Sequence, residues 1–520
     1  MNRAHFLNTI KNQNQFWDVV IIGGGATGLG CAVDAASRGY TTVLLDMHDF
    51  AKGTSSRSTK LVHGGVRYLQ QGDVSLVIEA LKERGLLIQN APHLVSHQSF
   101  IVPSYKWWSG PFYGVGMKVY DMLAGKLNIK KSKSLSEEET LEKIPTLEKE
   151  GLLGGTIYYD GQFDDSRLAL NLAQTAADYN ALPINYMKVT GLLKNSAGLI
   201  EGVSAMDMID GESYKINARV VINATGIFTD SIMKMDDEDH SNIIQCAQGI
   251  HLVLDKEFLP GDAAIMVPHT DDGRVLFAVP WHGKALVGTT DTPIDKPDLE
   301  PRALEEEIEF VLRHAARYLS KDPTREDVKS VFAGLRPLVK PSDSKSTSEI
   351  SRSHHLQVNE SGLVTITGGK WTTYRKMAED TIDQAVLVAG LQETPCVTED
   401  LRIHGWLKNV DMNDHLHVYG SDRVGIEKLI KENPELGEQI HSDLPYVKAE
   451  IIWAIRNEMA ITIDDILSRR TRMLLLDAQA ALESAELVAE YLARELGKDQ
   501  TWVKQEVAEF KALAKEYTLT

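Results

Sequence analysis

The sequence has few cysteines, no long apolar run and fewer basic than acidic residues. Its cysteines, Cys31, Cys246 and Cys396, show neither a CxxC spacing nor a Cys/His ligand pattern, so we expect no disulfide framework and no metal site. No apolar run reaches the roughly 18 residues that span a bilayer, and the first residues lack the features of a secretory signal, which predicts a cytoplasmic protein. The formal net charge of −18 argues against a nucleic-acid partner.

The first fifty residues contain a nucleotide-binding pattern. Residues 18–22 (DVVII) are typical of a buried parallel strand, and the GxGxxG motif that follows is formed by Gly23, Gly25 and Gly28. The next segment has helical apolar spacing, and its amino terminus would present amide groups and partial positive charge to a diphosphate. A second strand ends at Asp46, whose carboxylate can accept hydrogen bonds from a ribose hydroxyl. This order predicts a dinucleotide site and leaves NAD and FAD open.

Three later segments are rich in small and hydroxylated residues, as expected of loops around a ligand. Residues 53–69 (GTSSRSTKLVHGGVRYL) precede a hydrophobic helix, although their hydroxyl groups could instead cap that helix. Residues 220–230 (VVINATGIFTD) and 365–380 (TITGGKWTTYRKMAED) each combine a strand with a small-residue turn. Besides the three glycines and Asp46, the predicted cofactor-binding residues are Thr54, Ser55, Ser56, Ser58, Lys60, Ala224, Gly226, Gly369, Thr372 and Thr373.

Taken in order, the segments GGGATG, TSSRSTKLVHGGVRYL, NATGIFTD, GLRPLV and GGKWTTYRKMAED resemble the FAD-dependent glycerol-3-phosphate dehydrogenases and the related α-glycerophosphate oxidases. The segment NEMAITIDDILSRRTRM at 457–473 is similar to the helical carboxy-terminal signature of that family. The resemblance implies an α/β fold: a Rossmann-type FAD domain of the DAO type, an inserted α+β substrate domain and a C-terminal helical domain. It also favours FAD over NAD as the cofactor.

The resemblance further implies oxidation of sn-glycerol 3-phosphate to dihydroxyacetone phosphate, by hydride transfer to FAD, in glycerol catabolism. Arginine guanidinium groups grip phosphate oxygens bidentately, which suits the predicted substrate-binding residues Arg67, Tyr68, Arg336 and Lys370. The predicted catalytic residues are His63, His251, Lys370 and Arg336. Either histidine could take the proton of the C2 hydroxyl, and Lys370 would stabilise the developing alkoxide.

Residues 104–133 differ in charge from the rest of the chain. They contain six lysines, one acidic residue and several aromatic residues, among them Trp107, Trp108, Phe112, Tyr113 and Tyr120. Aromatic side chains with lysines are typical of a surface that binds anionic lipid, although a solvated basic face of a cap domain is the alternative. With the family resemblance, this predicts peripheral attachment to the inner face of the cell membrane and electron transfer to ubiquinone or menaquinone. An oxidase that reduces O2 to hydrogen peroxide is the alternative, and we also expect a homodimer.

The chain has no repeats, and its motifs suggest three parts. We predict a discontinuous FAD-binding domain at 15–100, 150–240 and 330–395, a substrate domain at 100–150 and 240–330, and a helical domain at 396–520. Within the last part, residues 478–497 have apolar spacing of three and four, which predicts an amphipathic helix.

Overall fold

A computed structural model describes residues 1–12, 16–65, 73–106, 109–268, 270–271, 273–340 and 354–519. The strands are β1 (Trp17–Ile22), β2 (Thr42–Leu45), β3 (Leu61–Val62), β4 (Val95–Ser104), β5 (Lys133–Leu135), β6 (Gly154–Phe163), β7 (Leu182–Ile184), β8 (Met187–Lys194), β9 (Ile200–Asp207), β10 (Ser213–Asn223), β11 (Ile244–Asp255), β12 (Ala263–Val267), β13 (Leu276–Trp281), β14 (Lys284–Gly288), β15 (Thr292–Ile294), β16 (Val328–Val339), β17 (His354–Val358) and β18 (Val364–Gly368).

The α-helices are α1 (Arg3–Asn12), α2 (Ala26–Ser37), α3 (Val74–Asn90), α4 (Ser109–Ala124), α5 (Glu137–Lys143), α6 (Asp165–Asp178), α7 (Thr229–Asp236), α8 (Glu305–Ala316), α9 (Tyr374–Ala389), α10 (Arg423–Glu432), α11 (Lys448–Asn457), α12 (Met473–Leu476), α13 (Ala478–Leu496) and α14 (Gln500–Lys515). No helix in this part of the chain is both long enough and apolar enough to cross a bilayer.

The first sheet has the strand order β17-β18-β10-β1-β2-β7, and β18, β10, β1, β2 and β7 run parallel. The hairpin of β8 and β9 continues from β10. Val19, Val20 and Ile21 of β1 are fully buried, as expected of a parallel strand covered on both faces. Helix α2 packs against α6 and α9 beside this sheet. The predicted Rossmann-type topology is therefore confirmed.

The second sheet contains ten strands of the described residues, and its long antiparallel pair β11·β16 carries much of the functional surface. In this pair Ala247 lies opposite Arg336 and Gly249 opposite Gly334, while His251 lies opposite Phe332. Residues directly opposite each other, and those two positions along, share a face of the sheet. Arg336 and His251 therefore lie on the same face.

Helices α9 to α14 come after the last strand, β18, along the chain, in line with the predicted helical C-terminal part. Helix α13 begins at an N-cap, Asp477, whose side chain accepts from the amide of Ala480, and it ends at Gly497 with φ +66°. It is the predicted amphipathic helix. Strands β6 and β16 belong to the second sheet, although all of β6 and most of β16 lie in stretches predicted for the FAD-binding domain.

Candidate active site

The turn between β1 and α2 forms one end of a cavity of about 420 Å³. Gly23 adopts φ +110°, where an L side chain is strained, and a Cβ there would also meet the Ala224 carbonyl. A Cβ on Gly28 would collide with the Gly23 carbonyl, so Gly28 permits the close packing of helix on strand and does not line the cavity. Gly25 lies on the cavity wall at the N-cap of α2. The local geometry suits a bound diphosphate.

Asp46 closes the same end of the cavity. Its carboxylate accepts hydrogen bonds from the amide of Gly24 at 2.6 Å and from that of His48 at 2.8 Å. Burial raises the pKa of Asp46 to about 6, against these two hydrogen bonds. The carboxylate is thus held at the end of β2, where dinucleotide folds carry the acidic side chain that binds a ribose hydroxyl.

Loop segments from three distant parts of the chain form the remaining walls. Thr54 and Ser55 come from the short 3-10 helix Thr54–Ser56, and the indole N–H of Trp371 donates to the Ser55 carbonyl at 2.8 Å. The other predicted cofactor residues on this wall are Ala224, Gly226 and Gly369, together with Lys370. These walls combine glycines and hydroxylated residues with apolar side chains such as Met187 and Phe228, as suits a long dinucleotide cofactor.

The segment after Ser55 is anchored from the side away from the cavity. Lys60 is buried, and its Nζ donates to the Ser56 carbonyl and to Asp165, both at 2.7 Å. Burial lowers the pKa of Lys60 to about 7, against the raising effect of the Asp165 carboxylate. Arg472 donates to the same carbonyl at 3.0 Å and to Asp165 at 2.9 Å. The C-terminal RRTR segment thus supports the loop that borders the cavity.

A second cavity of about 180 Å³ is built on the same loop and strand as the first. Residues 53–55 and Pro337 line the first cavity, whereas Thr59, His63 and Arg336 line the second. Arg336 donates to Asp291 at 3.2 Å, to Thr289 Oγ1 at 3.2 Å and to the Thr290 carbonyl at 3.1 Å. Its guanidinium group is therefore oriented by the strand-end residues 289–291. The wall of the second cavity also includes Arg274 and Asp160.

His251 lies behind this wall. It is buried, and its Nε2 lies 2.9 Å from Oγ1 of Thr59, which does line the second cavity. Its ring stacks on Phe332 with centroids 5.0 Å apart. Burial, with the charges of Lys60 and Arg336, holds the pKa of His251 well below its usual range, so the imidazole is neutral. Its Nδ1 has no hydrogen-bond partner among the described residues.

The remaining predicted residues occupy supporting positions. The Ser58 hydroxyl donates to Asp165 at 2.7 Å, Thr372 Oγ1 accepts from the His63 amide at 3.2 Å, and Thr373 Oγ1 donates to the Lys370 carbonyl at 3.3 Å. None of these side chains, nor those of Ser56 and Lys60, lines either cavity. Arg67 and Tyr68 lie outside the described residues.

The sequence analysis did not single out Arg274 or Asp160. Arg274 lies at the end of the turn at residues 270–274, in which the Thr270 amide donates to the Arg274 carbonyl at 2.9 Å and the Arg274 amide donates to Thr270 Oγ1 at 3.1 Å. No local motif marks either residue. A DDGR turn before an apolar strand is the only signal near Arg274.

Comparisons with known proteins agree with this architecture. Residues 18–375 match the family of FAD-dependent oxidoreductases (DAO), and residues 363–503 match the C-terminal domain of α-glycerophosphate oxidase. The chain is 42% identical to the mitochondrial glycerol-3-phosphate dehydrogenase of Bos taurus over 533 residues, covering 96% of this chain and 73% of that protein. The corresponding protein of Homo sapiens is also 42% identical, with 98% and 74% covered.

Solved structures support the same assignment. The glycerol-3-phosphate dehydrogenase of Bacillus halodurans, complexed with FAD, is 31% identical with a TM-score of 0.81, covering 99% of this chain and 97% of that one. The L-α-glycerophosphate oxidase of Mycoplasma pneumoniae, with FAD bound, is 17% identical with a TM-score of 0.57. That match covers 76% of this chain and 100% of the oxidase, and it shows that the two share the fold. FAD is the cofactor, and the first cavity fits it through the Gly23 turn and Asp46. The chain belongs to the FAD-dependent glycerol-3-phosphate dehydrogenase family of DAO-type oxidoreductases.

Proposed function

We propose that the protein oxidises sn-glycerol 3-phosphate to dihydroxyacetone phosphate, a step of glycerol catabolism, with FAD as the hydride acceptor. The observation that carries this proposal is the position of Arg336, which lines a small cavity with both polar and apolar walls, built on the same loop and strand as the cofactor cavity. A phosphorylated three-carbon alcohol is small enough for such a cavity and carries nearly two negative charges at neutral pH. When bound, FAD supplies the electron-pair acceptor for the hydride that leaves C2.

Arg336 and Arg274 are the proposed phosphate ligands in the second cavity. Asp291 and the oxygens of Thr289 and Thr290 orient Arg336, so little side-chain entropy is lost when it binds an anion. Arg274 reaches the same cavity from the turn at 270–274. Arg336 and Arg274 thus reach the cavity from different elements, and two arginines suit a phosphate group.

We infer that His63 accepts the proton of the C2 hydroxyl. His63 lines the second cavity, and its backbone is held by Thr372 at 3.2 Å, next to the Gly369 turn. His251 lies one hydrogen bond farther away, behind Thr59. Lys370, on the cofactor-cavity wall, would stabilise the developing alkoxide. Substituting each histidine by Asn decides between them, because loss of the base removes the acid limb of the pH–rate profile together with most of the rate.

The decisive experiment is anaerobic reduction of the flavin by glycerol 3-phosphate, followed as loss of flavin absorbance. Arg336→Ala should raise the substrate concentration at half-maximal rate roughly ten- to a hundredfold, the value of one or two charge-assisted hydrogen bonds. FAD should remain bound. Arg302→Ala, at an exposed arginine paired with Glu516, is the matched control and should behave like wild type. A wild-type flavin that glycerol 3-phosphate leaves oxidised would refute the proposal.

We further propose attachment to an anionic membrane surface through helix α4. Four apolar residues, Phe112, Val115, Val119 and Met122, recur at intervals of three and four and are between 41% and 80% exposed. Lys118 is exposed on the same helix, and the lysines at 130, 131 and 133 of the segment that follows are exposed too. An apolar stripe with lysines close to it in the chain fits the headgroup layer of anionic lipid.

Two details of the predicted membrane surface differ from the sequence analysis. Tyr113 and Tyr120 are buried against the protein, so the prediction that they contact lipid is wrong; they occupy the inner face of the amphipathic helix α4. Trp107 and Trp108 lie outside the described residues. The outer face of α4 alone supports the proposal.

Sedimentation with vesicles tests this attachment. The protein should sediment with phosphatidylglycerol vesicles and much less with phosphatidylcholine vesicles, and salt should release it only in part. Placing Asp at both Val115 and Met122 should abolish sedimentation, whereas Val424→Asp, at an equally exposed valine of α10, should not. Equal losses in both variants would contradict a specific role for α4.

A membrane quinone is the proposed electron acceptor, and O2 is the alternative. Attachment at a bilayer surface would bring the enzyme to a lipid-soluble acceptor, which favours the quinone. Turnover with a quinone analogue should exceed the rate of hydrogen peroxide formation in air. The reverse ratio would identify an oxidase.

A further inference from the structure

Three buried polar side chains meet beneath the segment that carries His63. Asp160 of β6 is buried, and its carboxylate accepts from Arg84 of α3 at 2.8 Å and from the Tyr120 hydroxyl of α4 at 2.7 Å. It also accepts from the backbone amide of Gly64 at 3.4 Å. We call Asp160, Arg84 and Tyr120 the Asp160 cluster. Its residues come from three different elements. Arg84 and Tyr120 both donate to the Asp160 carboxylate, and Asp160 in turn accepts from the Gly64 amide.

The backbone at Gly64 is tightly enclosed. A Cβ there would lie 2.5 Å from Cδ2 of Leu81 and closer still to the Tyr120 hydroxyl. On the other side, Thr372 accepts from the His63 amide at 3.2 Å. Gly65 then turns with φ +78°. The segment 63–65 is therefore held between Thr372 and the Asp160 cluster, and both His63 and Gly65 line the second cavity.

The charge of Asp160 is informative because this carboxylate also lines that cavity. A carboxylate at the wall of an anion-binding cavity repels its ligand unless a cation neutralises it. Arg84 does so: it is fully buried, and its guanidinium also donates to the Leu127 carbonyl at 3.2 Å. Removing two charges from water costs more than such a pair commonly returns in stability. The cluster is thus better explained by positioning than by stability.

Resting on the proposed function, we propose that Asp160 is a positioning residue for the oxidation step. Held by Arg84 and Tyr120, its carboxylate fixes the Gly64 amide and so the approach of His63 to the substrate. Arg84 also prevents Asp160 from repelling the substrate phosphate. The positioning of His63 should affect the rate at saturating substrate, whereas the neutralisation of Asp160 by Arg84 should affect the apparent affinity for the substrate.

Four variants of the FAD-loaded enzyme test this by anaerobic flavin reduction. Asp160→Asn, which keeps the shape of the side chain, should lower the limiting rate roughly tenfold or more with KM changed less than about threefold, since it weakens one charged anchor of the turn. Arg84→Met leaves the carboxylate uncompensated and should raise KM at least about tenfold. The combination of Arg84→Met with Asp160→Asn should bring KM back toward wild type. Tyr120→Phe keeps the ion pair and should lower the limiting rate about threefold.

The control is Tyr419→Phe, which removes a buried hydroxyl that, like that of Tyr120, donates to a carboxylate. Its partner is Glu450 at 3.0 Å, and Tyr419 lines neither cavity. The rate of this variant should stay within about twofold of wild type, the size expected when no bond that anchors the segment 63–65 is lost. A wild-type rate in Asp160→Asn, or an equal loss in Tyr419→Phe, would overturn the inference.

Hydrogen exchange of the peptide covering 61–65 provides a measurement that needs no substrate. Deuterium uptake there should rise in Asp160→Asn and Tyr120→Phe and stay unchanged in Tyr419→Phe. Unchanged uptake in the first two variants would overturn the inference even if glycerol 3-phosphate proved not to be the substrate. Failure of wild-type flavin reduction, with increased uptake in those two variants, would refute the proposed substrate and leave the positioning role standing.

Discussion

Replacing Gly249 by alanine would test whether the placement of Arg336 governs substrate binding. Gly249 lies on β11, and a Cβ there would be 2.9 Å from Cζ of Arg336 and closer still to its Nη2 and to Oγ1 of Thr289. The obstructing atoms are the ends of side chains, and Gly249 does not adopt a left-handed φ. We therefore expect the sheet to persist and the guanidinium group to move out of place.

The expected magnitude follows from what Arg336 loses. Its contacts with Asp291, Thr289 and the Thr290 carbonyl all depend on the present position. Each charge-assisted hydrogen bond to a substrate phosphate contributes roughly 1.5–3 kcal/mol, or about a ten- to hundredfold change in a binding constant. Gly249→Ala should raise KM for glycerol 3-phosphate by a similar factor, without removing any charged group.

The assay is anaerobic flavin reduction over a range of glycerol 3-phosphate concentrations, with FAD content and melting temperature measured in parallel. Gly191→Ala, on β8, is the control because nothing lies within 4 Å of an added Cβ there and its φ is unstrained. If Gly249→Ala kept the wild-type KM while FAD stayed bound, Arg336 would not be the phosphate ligand that we propose.

Two further substitutions have defined outcomes. Although burial opposes this, hydrogen bonds to Asp178 and Asp422 raise the pKa of His404 to about 9. The protonated imidazole therefore stabilises the folded protein. This stabilisation is complete below the unfolded pKa of about 6.5 and is lost as the pH rises through about 9. At pH 6 the free energy of unfolding of His404→Gln should therefore be lower than that of wild type by roughly 2 kcal/mol, after allowing for partial solvent screening. A difference of the same size at pH 10 would contradict this. Arg472→Met leaves Asp165 with one fewer partner. It should lower the free energy of unfolding, measured by calorimetry, by about 3–5 kcal/mol, and it should reduce the FAD content. Unchanged FAD content would show that the loop bordering the cofactor cavity is held without Arg472.

The part of the site at the Gly23 turn could be predicted because the residues that form it lie close together in the sequence. Gly23, Gly25 and Asp46 belong to one strand, turn, helix and strand, and the structure places all three on one cavity wall. Short-range geometry alone sets their relation. The fold class is confirmed. The FAD cofactor, which this motif alone left open against NAD, is confirmed by the family match and by the relative solved with FAD.

Prediction was weaker where a side chain turns toward a distant partner. Lys60 and Ser58 follow Ser55 directly, which suggested contact with the cofactor. In the structure both bind Asp165, more than 100 residues later in the chain, and neither lines a cavity. Whether a loop side chain contacts the cofactor or the protein depends on which face of the loop packs on the protein, and no local sequence pattern contains that information.

The substrate half depends on sheet register, which the sequence does not reveal. Arg274 and Asp160 lie on different strands or turns of the second sheet and in no recognisable motif. They become neighbours of Arg336 only because β6, β13 and β16 take part in one sheet. A shift of one residue in any strand would turn its side chains to the opposite face.

Register also explains how one loop and one strand serve both cavities. Gly249 and Gly334 lie directly opposite each other on β11 and β16, and together they leave a notch in the sheet face. On the Gly249 side the guanidinium of Arg336 fills the space of a missing Cβ; on the Gly334 side the loop residue Arg57 approaches to 2.9 Å of where a Cβ would be. A side chain at Gly249 would displace Arg336, and a side chain at Gly334 would displace Arg57 in the loop that borders the cofactor cavity. The paired glycines therefore let that loop and the arginine that we propose as the phosphate ligand approach the same place in the sheet.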